Sequence, residues 1–418
     1  MAAAEARSGK DRPADLAILG GRPAFREPLH VGRPNLGDRR RFLERVERIL
    51  DTRLLTNNGP FVREFEEEIA ARTGVRNCVA TSNATVALEI LVRALGISGE
   101  VIVPSLTFVA TAHALRWQGI TPVFCDVDPS THNLDPGRAE AMITPRTSGI
   151  LAVHLWGRPC DTDALDLVAR RHGLALIYDA AHAFGCTHGG RPIGGFGDAE
   201  VFSFHATKFI QSFEGGAVTT HDDALAARLR LMGNFGFVGY DDVRCVGTNA
   251  KMSEVAAAMG LTTLESLEEI VAHNRRNHIL YKRELAKIPG LTVIPYEEAE
   301  RCNYQYVVLD VDPAPLGIGR DDLAAVLHAE NVLARRYFYP GCHRMAPYRS
   351  ESPDACRFLP VTERLAGRLL CLPTGQEVGQ AEILLIARIL RLAAASAPAI
   401  AHRRDHLGRQ RAAEALTR

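Results

Sequence analysis

The chain has 418 residues, 46% of them apolar, with 49 basic and 49 acidic side chains and a formal net charge of zero. That length suits a large domain plus a smaller one, and the balanced charge gives no reason to expect nucleic acid or an anionic membrane surface as a partner. No apolar run approaches the roughly 18–20 residues that cross a bilayer, and the nine cysteines and fifteen histidines show neither CxxC nor HExxH spacing, so neither a disulfide framework nor a metal site is indicated.

Residues 1–13 lack an apolar signal core, so a flexible start and a cytoplasmic location are expected. A helix is predicted over 38–50, with Phe42, Val46 and Ile49 on one face. Asn57, Asn58, Gly59 and Pro60 break it with turn chemistry, and a second helix follows to Thr73 with Arg63, Glu64, Glu66, Glu67 and Glu68 outward. A strand over 77–81 then turns through Ser82 to Thr85 into a helix carrying Ala84, Ala87, Leu88, Leu91 and Leu95 at spacings of three and four. A strand that turns into a helix offers free N–H groups and a positive dipole end, which suits a phosphate. An ordinary cap by Ser82 or Asn83 is the alternative.

A strand over 100–105 leads to Thr107 and Phe108, which are expected to open a helix running to Gly119. Strands are predicted over 121–128 and 149–155, and Asp161 caps a helix with Leu165, Val168 and Ala169 inward. This alternation predicts a mostly parallel sheet with helices on its faces. The apolar run from Leu174 then ends on Asp179, with His182 three residues later. An acid at that end of a buried strand is either a helix cap or a functional carboxylate, because ligands collect at that edge.

Strands over 199–204 and 216–220 bracket Lys208. An amine held at a strand end, partly out of water, loses preference for its charged form and becomes an imine-forming nucleophile; alone, a surface loop lysine is the ordinary reading. Pyridoxal phosphate (PLP) needs a carboxylate against its pyridine nitrogen, and the order Asp179, Ser203, Lys208 fits a PLP site. Downstream come a helix over 222–232, a glycine-bearing loop over 234–240, and a segment over 247–254 leading into one long helix to 285. From Gly290 a second unit begins, with strands near 291–294 and 304–311, a helix over 320–331 and an aromatic loop over 335–348. The domain boundaries expected are a flexible segment 1–30, a large domain 31–285, a small domain 286–397 and a mobile basic tail 398–418.

Over roughly residues 30 to 395 these motifs resemble the DegT/DnrJ/StrS sugar aminotransferases, of the fold-type I class of PLP enzymes. The chain has their NGP…FE opening, Asn83-Ala84-Thr85 where Ser-Gly-Thr is usual, Gly247-x-Asn249-x-Lys251-Met252 where G-x-N-x-R-M is usual, and Pro340, His343, Pro347 and Tyr348 of the loop bordering the sugar. The resemblance implies an α/β fold, with a mostly parallel seven-stranded-type sheet in the large domain and a smaller C-terminal α/β domain. It implies that Lys208 carries PLP, Asp179 faces its ring nitrogen, and Ala84, Thr85 and Ser203 hold its phosphate. Phe108 would stack on the ring, His182 would lie near its phenolic oxygen, and Asn249 would reach a neighbour's phosphate in a homodimer with shared sites; the 56–61 loop is either near a partner's site or a plain helix corner. Ala84 restricts the phosphate's approach relative to glycine, and Lys251 keeps charge without arginine's fork.

The substrates implied are L-glutamate, which leaves the cofactor as pyridoxamine phosphate, and a nucleotide-linked keto-sugar, with His205, Tyr339 and His343 near the sugar. Segments 154–160, 204–216 and 247–254 resemble most the desosamine-type 4-aminotransferases, implying a TDP-linked 4-keto-6-deoxyhexose and a role in antibiotic deoxysugar biosynthesis. Regiochemistry rests on a few pocket contacts worth about 1–3 kcal/mol each, so amination at C3 stays open. PLP sugar dehydratases carry histidine where Lys208 stands, and a PLP-binding regulator would need a nucleic-acid or partner module, which does not stand outside the enzyme core.

Overall fold

The computed structural model describes residues 9–403. Seven strands, β1 (Asn77–Thr81), β2 (Glu100–Pro104), β3 (Thr121–Cys125), β4 (Thr147–Val153), β5 (Ala175–Asp179), β6 (Ala199–Ser203) and β7 (Gly216–Thr220), form one sheet in the order β1-β7-β6-β5-β4-β2-β3. β7 runs antiparallel to β1 and β6, and the other neighbours are parallel. Successive strand residues face opposite ways, and both faces are apolar. Cys78, Ala80, Tyr178 and Phe202 pack with Phe61, Phe65, Ile69 and Leu261, whereas Val79, Ile177, Val201 and Val218 pack with Leu88, Leu91, Leu115 and Leu229. The first face is covered by α1 (Arg39–Thr52), α2 (Pro60–Thr73), α5 (Thr162–His172) and α7 (Glu254–Leu264), the second by α3 (Ala84–Ala94), α4 (Ala110–Trp117) and α6 (Asp223–Gly233). Helices on both faces of a mostly parallel sheet agree with the expected α/β architecture.

Three details differ from the sequence reading. Glu66, expected outward on α2, is buried, where it pairs with Arg230 at 2.7 Å and accepts the Ala80 N–H. The helix opened by Phe108 starts later, at Ala110, leaving Phe108 in the preceding loop. The long helix to Leu285 is interrupted between α7 and α8 (Leu267–Leu285). Thr262 and Thr263 donate back to the Ala258 and Gly260 carbonyls, a bonding pattern that bends helices, and Thr263 also donates to the Gln211 carbonyl.

Beyond α8, strands β8 (Leu291–Val293), β9 (Val307–Val311) and β10 (Leu369–Leu372) form a second, antiparallel sheet. With α9 (Arg320–Ala329) and α10 (Gln380–Ala395) it encloses its own core around Leu309, Leu327, Leu370, Ile386 and Leu390. The flexible segment expected over 1–30 is corrected for residues 9–30. Leu16, Ala24, Phe25 and Leu29 are buried in this second core, and Leu29 pairs in parallel with Val332. Lys10 Nζ lies 2.6 Å from the buried Glu330 carboxylate, which also accepts the Ala17 and Ala24 N–H groups. Removing one partner of such a pair leaves an uncompensated buried charge, worth about 3–5 kcal/mol. At the other end the chain stays helical over Ala397–Arg403, with Ile400 buried, so the mobile tail is corrected there too. Residues 1–8 and 404–418 lie outside the described residues. Among the described residues no single helix is long and apolar enough to cross a membrane.

Candidate active site

The carboxyl ends of β2 and β4 meet the second unit across a small apolar cluster of Leu106, Val153, Trp156, Tyr306 and Phe338, and His182, just past β5, sets its ring 4.7 Å from that of Tyr306. Asp179 ends β5 and is buried at that edge. Its Oδ2 accepts from Thr111 Oγ1 at 2.8 Å, its Oδ1 accepts from the Ala181 N–H at 3.1 Å, and Thr111 Oγ1 is 3.0 Å from Thr107 Oγ1. Burial raises the Asp179 pKa, and the bonds from Thr111 and Ala181 offset part of that. Thr111 was not singled out from the sequence; its spacing of four from Thr107 at a helix start was the available signal.

Lys208 stands in the connection from β6 to β7. Phe204 and Gly215 close that connection at its base, and the Lys208 N–H donates to the His205 carbonyl. The side chain is half-buried, and desolvation brings its amine down to about 8, against the opposing pull of the Asp179 charge. His182, on the loop after β5, is buried with its pKa pushed well down by desolvation and by the Lys208 charge, which keeps the imidazole neutral. Its ring lies nearly parallel to those of Trp156 and Phe338, at 6.0 and 5.8 Å between centroids. Lys208, Asp179 and His182 are therefore brought together.

Ser203 is paired across the sheet with Gly216, which in turn pairs with Thr81. This register sets Ser203 beside the start of α3. A Cβ at Gly216 would fall 2.6 Å from the Ala84 nitrogen, so the helix start sits directly on the glycine backbone. Asn83 caps α3 by accepting the Val86 N–H, while the Ala84 and Thr85 N–H groups, at the first two helical positions, have no intrahelical acceptor. Phe108, 57% exposed, tilts toward Phe338 at 6.2 Å.

Of the residues expected near a sugar, His205 is half exposed, with Nδ1 2.8 Å from Thr207 Oγ1. Tyr339 is exposed, with the guanidinium groups of Arg320 and Arg336 over its ring at 4.9 and 4.8 Å. His343 is different. It is buried, and both ring nitrogens are engaged, Nδ1 with Ser105 Oγ at 2.7 Å and Nε2 with Glu363 at 2.5 Å. Those contacts fasten the 335–348 loop to the end of β2 and leave no free nitrogen for a ligand, which corrects its reading as a direct sugar contact.

Asn249 is exposed, on a loop anchored where the Ser82 N–H donates to the Ala250 carbonyl at 2.7 Å. Around it Phe235, Phe237, Val238, Tyr240, Val243 and Val246 are exposed. Glu254 joins this loop to the other one of interest, since its carboxylate accepts the Phe61 and Val62 N–H groups at the start of α2.

A lysine and an aspartate facing each other at the carboxyl edge of a parallel sheet, beside an open helix start, define a PLP-dependent aminotransferase of fold type I. Residues 37–391 match the model of the DegT/DnrJ/EryC1/StrS aminotransferase family. The chain belongs to that family. It is 35% identical to the dTDP-4-amino-4,6-dideoxy-D-glucose transaminase of Escherichia coli over 365 residues, 87% of this chain and 98% of the relative. It is 37% identical to the GDP-perosamine synthase of Caulobacter vibrioides over 85% of this chain and 95% of the relative. Its fold matches the crystal structure of DesI in the presence of its TDP-sugar product with a TM-score of 0.90 and 54% identity, over 94% of this chain and 99% of DesI. DesV of S. venezuelae, in complex with a ketimine intermediate, matches with a TM-score of 0.79 and 32% identity, over 85% and 95%.

The residues present fit PLP. Gly216 opens the cradle that a Cβ would fill, two helix-start N–H groups are free of intrahelical bonds, and the buried carboxylate of Asp179 is hydrogen-bonded by a hydroxyl and an amide with no cation among those partners. When bound, PLP supplies an electron sink that takes up an amino group and passes it on.

Proposed function

We propose that this enzyme transfers an amino group from L-glutamate to C4 of a TDP-linked 4-keto-6-deoxyhexose in a deoxysugar pathway of antibiotic biosynthesis. The observation that carries the reading is the 54% identity to DesI across 94% of the chain. The likeness to a transaminase named for a 4-amino sugar supports C4 over C3. In this reading Lys208 binds PLP covalently, Asp179 holds a negative charge against the ring nitrogen, and Ala84, Thr85 and Ser203 bind the phosphate. Phe108 covers the ring, and His182, kept neutral, hydrogen-bonds beside it. Lys208 Nζ is the base that removes the proton from the donor's α-carbon and returns one on the acceptor side, a role that suits an amine titrating near 8. His205 and Tyr339 border the sugar.

The same reading places the large domain over 31–285 and the small one over 286–397, each built on an apolar core of its own, the second of which also takes in Leu16, Ala24, Phe25 and Leu29 of the arm and Tyr281 and Leu285 of α8. Cytoplasmic action agrees with nine free cysteines, seven of them buried. Purified enzyme incubated with glutamate and the 4-keto or 3-keto isomer of the TDP-sugar should give amine from the 4-keto isomer at a much higher rate, with the aminated carbon read by NMR. A preference for the 3-keto sugar overturns C4 and leaves the Lys208 chemistry standing.

The enzyme works as a homodimer with shared sites in this reading. The exposed apolar side chains around Asn249 support that, because a contiguous patch of this kind marks an association surface. Mixing an Asn249→Ala chain with a Lys208→Ala chain should return part of the activity that each lacks, since one hybrid site is then intact. No recovery after demonstrated subunit exchange rules out sharing.

A further inference from the structure

The turn that carries Lys208 is held from outside, at the backbone N–H and carbonyl of the next residue. The Phe209 N–H donates to Gln305 Oε1 at 3.2 Å, and the Phe209 carbonyl accepts from Asn35 Nδ2 at 3.1 Å. Both carboxamides are buried, and they come from distant parts of the chain. Asn35 follows the amino-terminal arm, which is tied to the second unit by Lys10–Glu330 and Leu29–Val332. Gln305 lies just ahead of β9 of that unit. Asn35 is itself fixed, with its Oδ1 accepting the Gln376 N–H and its carbonyl accepting from Gln211 Nε2. Next to it Gly32 lies against the turn, where a Cβ would come within 3.1 Å of Thr207. Asn303, two residues before Gln305, donates to the carbonyls of His182 and Phe184 at 2.8 and 3.0 Å.

Gln305 is an expensive choice for its site if stability alone is considered. Its Nε2 is buried with no hydrogen bond of standard geometry and the Tyr306 hydroxyl as its neighbour, and an unsatisfied buried donor costs about 1–3 kcal/mol. An isosteric apolar side chain would avoid that cost and forfeit the acceptor for the Phe209 N–H.

We infer that Gln305 and Asn35 are positioning residues for the reaction, a carboxamide clamp that grips the backbone of Phe209 at its N–H and at its carbonyl and thereby sets where the Lys208 amine stands. The inference rests on the reading of Lys208 as the PLP-bearing lysine. Its consequence is that the seating of the second unit and of the amino-terminal arm is transmitted to the catalytic amine through the two peptide groups that flank Phe209. Without the clamp the turn relaxes toward water and the amine loses its desolvated place opposite Asp179, whose charge bears on it, and the neutral His182, the titratable groups at the β5 end.

The test is the pH dependence of Lys208 acetylation by acetic anhydride in the full-length chain freed of cofactor, read by peptide mass spectrometry. Gln305→Met, isosteric but without the acceptor, should raise the midpoint by at least about one pH unit toward the ordinary lysine value near 10.4, and so lower Lys208 reactivity at pH 8 several-fold or more, while the thermal midpoint stays within a few degrees. Asn35→Ala should shift it the same way, and the double variant should shift it by less than the sum of the two, because both grip the backbone of one residue. An unchanged midpoint in folded Gln305→Met overturns the clamp. If that variant does not fold, hydrogen exchange of the Phe209 amide in the wild-type chain decides instead, with slow exchange expected and exchange at open-loop rates overturning it. The underlying reading is checked separately, since PLP added to the wild-type chain should shield Lys208 from acetylation; failure there removes Lys208 from its role whatever the midpoints do.

Discussion

Transamination by Lys208→Ala should fall by at least about 10³-fold while the purified chain keeps its fold, and borohydride should no longer fix cofactor to it. The size of the loss follows from two roles carried by one amine. Proton transfer by a positioned base contributes about 10²–10⁴-fold, and covalent capture of the cofactor is lost with it. The fold survives because the side chain is half-buried and no described hydrogen bond or ion pair depends on Nζ. Position matters as much as residue type. An amine brought down to about 8 is half neutral at pH 8, whereas one near 10.4 is neutral in only about 0.4% of molecules. Covalent capture of PLP by the stripped wild-type chain should therefore rise about tenfold per pH unit below 8 and level off above it. Full turnover by Lys208→Ala would end the assignment of this residue, and capture that keeps climbing to pH 10 would show that the amine is not desolvated.

What could be read in advance divides along a physical line. The strand–helix alternation was legible because each strand is apolar on both faces and each helix shows its own period, both of which are local properties. Asp179 and Lys208 were legible for a related reason, since the end of a buried strand is a place that sequence marks by an abrupt change from apolar to polar. The docked arm was not. Leu16, Ala24, Phe25 and Leu29 follow no helical or strand period, and their partners lie some 300 residues away, so nothing near them in the chain says that they are buried. Glu66 failed in the opposite direction: an acid among four other charged residues reads as solvated surface until Arg230 and the Ala80 N–H are brought to it. His343 reads from the sequence as part of the 335–348 loop, but whether its ring nitrogens are free depends on Ser105 and Glu363, one from the large sheet and one from the second unit. Gln305 and Asn35 belong with these. A glutamine ahead of one strand and an asparagine ahead of a helix acquire meaning only when the fold closes both onto the backbone of Phe209.

Asp179→Asn should separate the charge of this residue from its shape. The amide has the same outline: its oxygen can still accept the Ala181 N–H, and its Nδ2 can donate to Thr111 Oγ1, a hydroxyl that can turn to accept, so both bonds that hold the carboxylate in place have a counterpart. What it lacks is the negative charge proposed to face the ring nitrogen of PLP. Removing one preorganised electrostatic contact of this kind costs about 10²–10³-fold in rate, and the loss should appear in kcat for donors of every size, because it acts at the cofactor and not at the substrate. A second readout should move the other way. The Asp179 charge favours the ammonium form of Lys208 and opposes the desolvation that lowers its pKa; with that charge gone the midpoint should drop below 8. At pH 7 the stripped Asp179→Asn chain should then hold more of its Lys208 as free amine than wild type does, and its acetylation there should be faster even as transamination collapses. A merely misfolded site would slow both. Wild-type rates in Asp179→Asn would remove the carboxylate from the cofactor's side, and a midpoint that rises instead of falling would mean that Asp179 and Lys208 do not face each other.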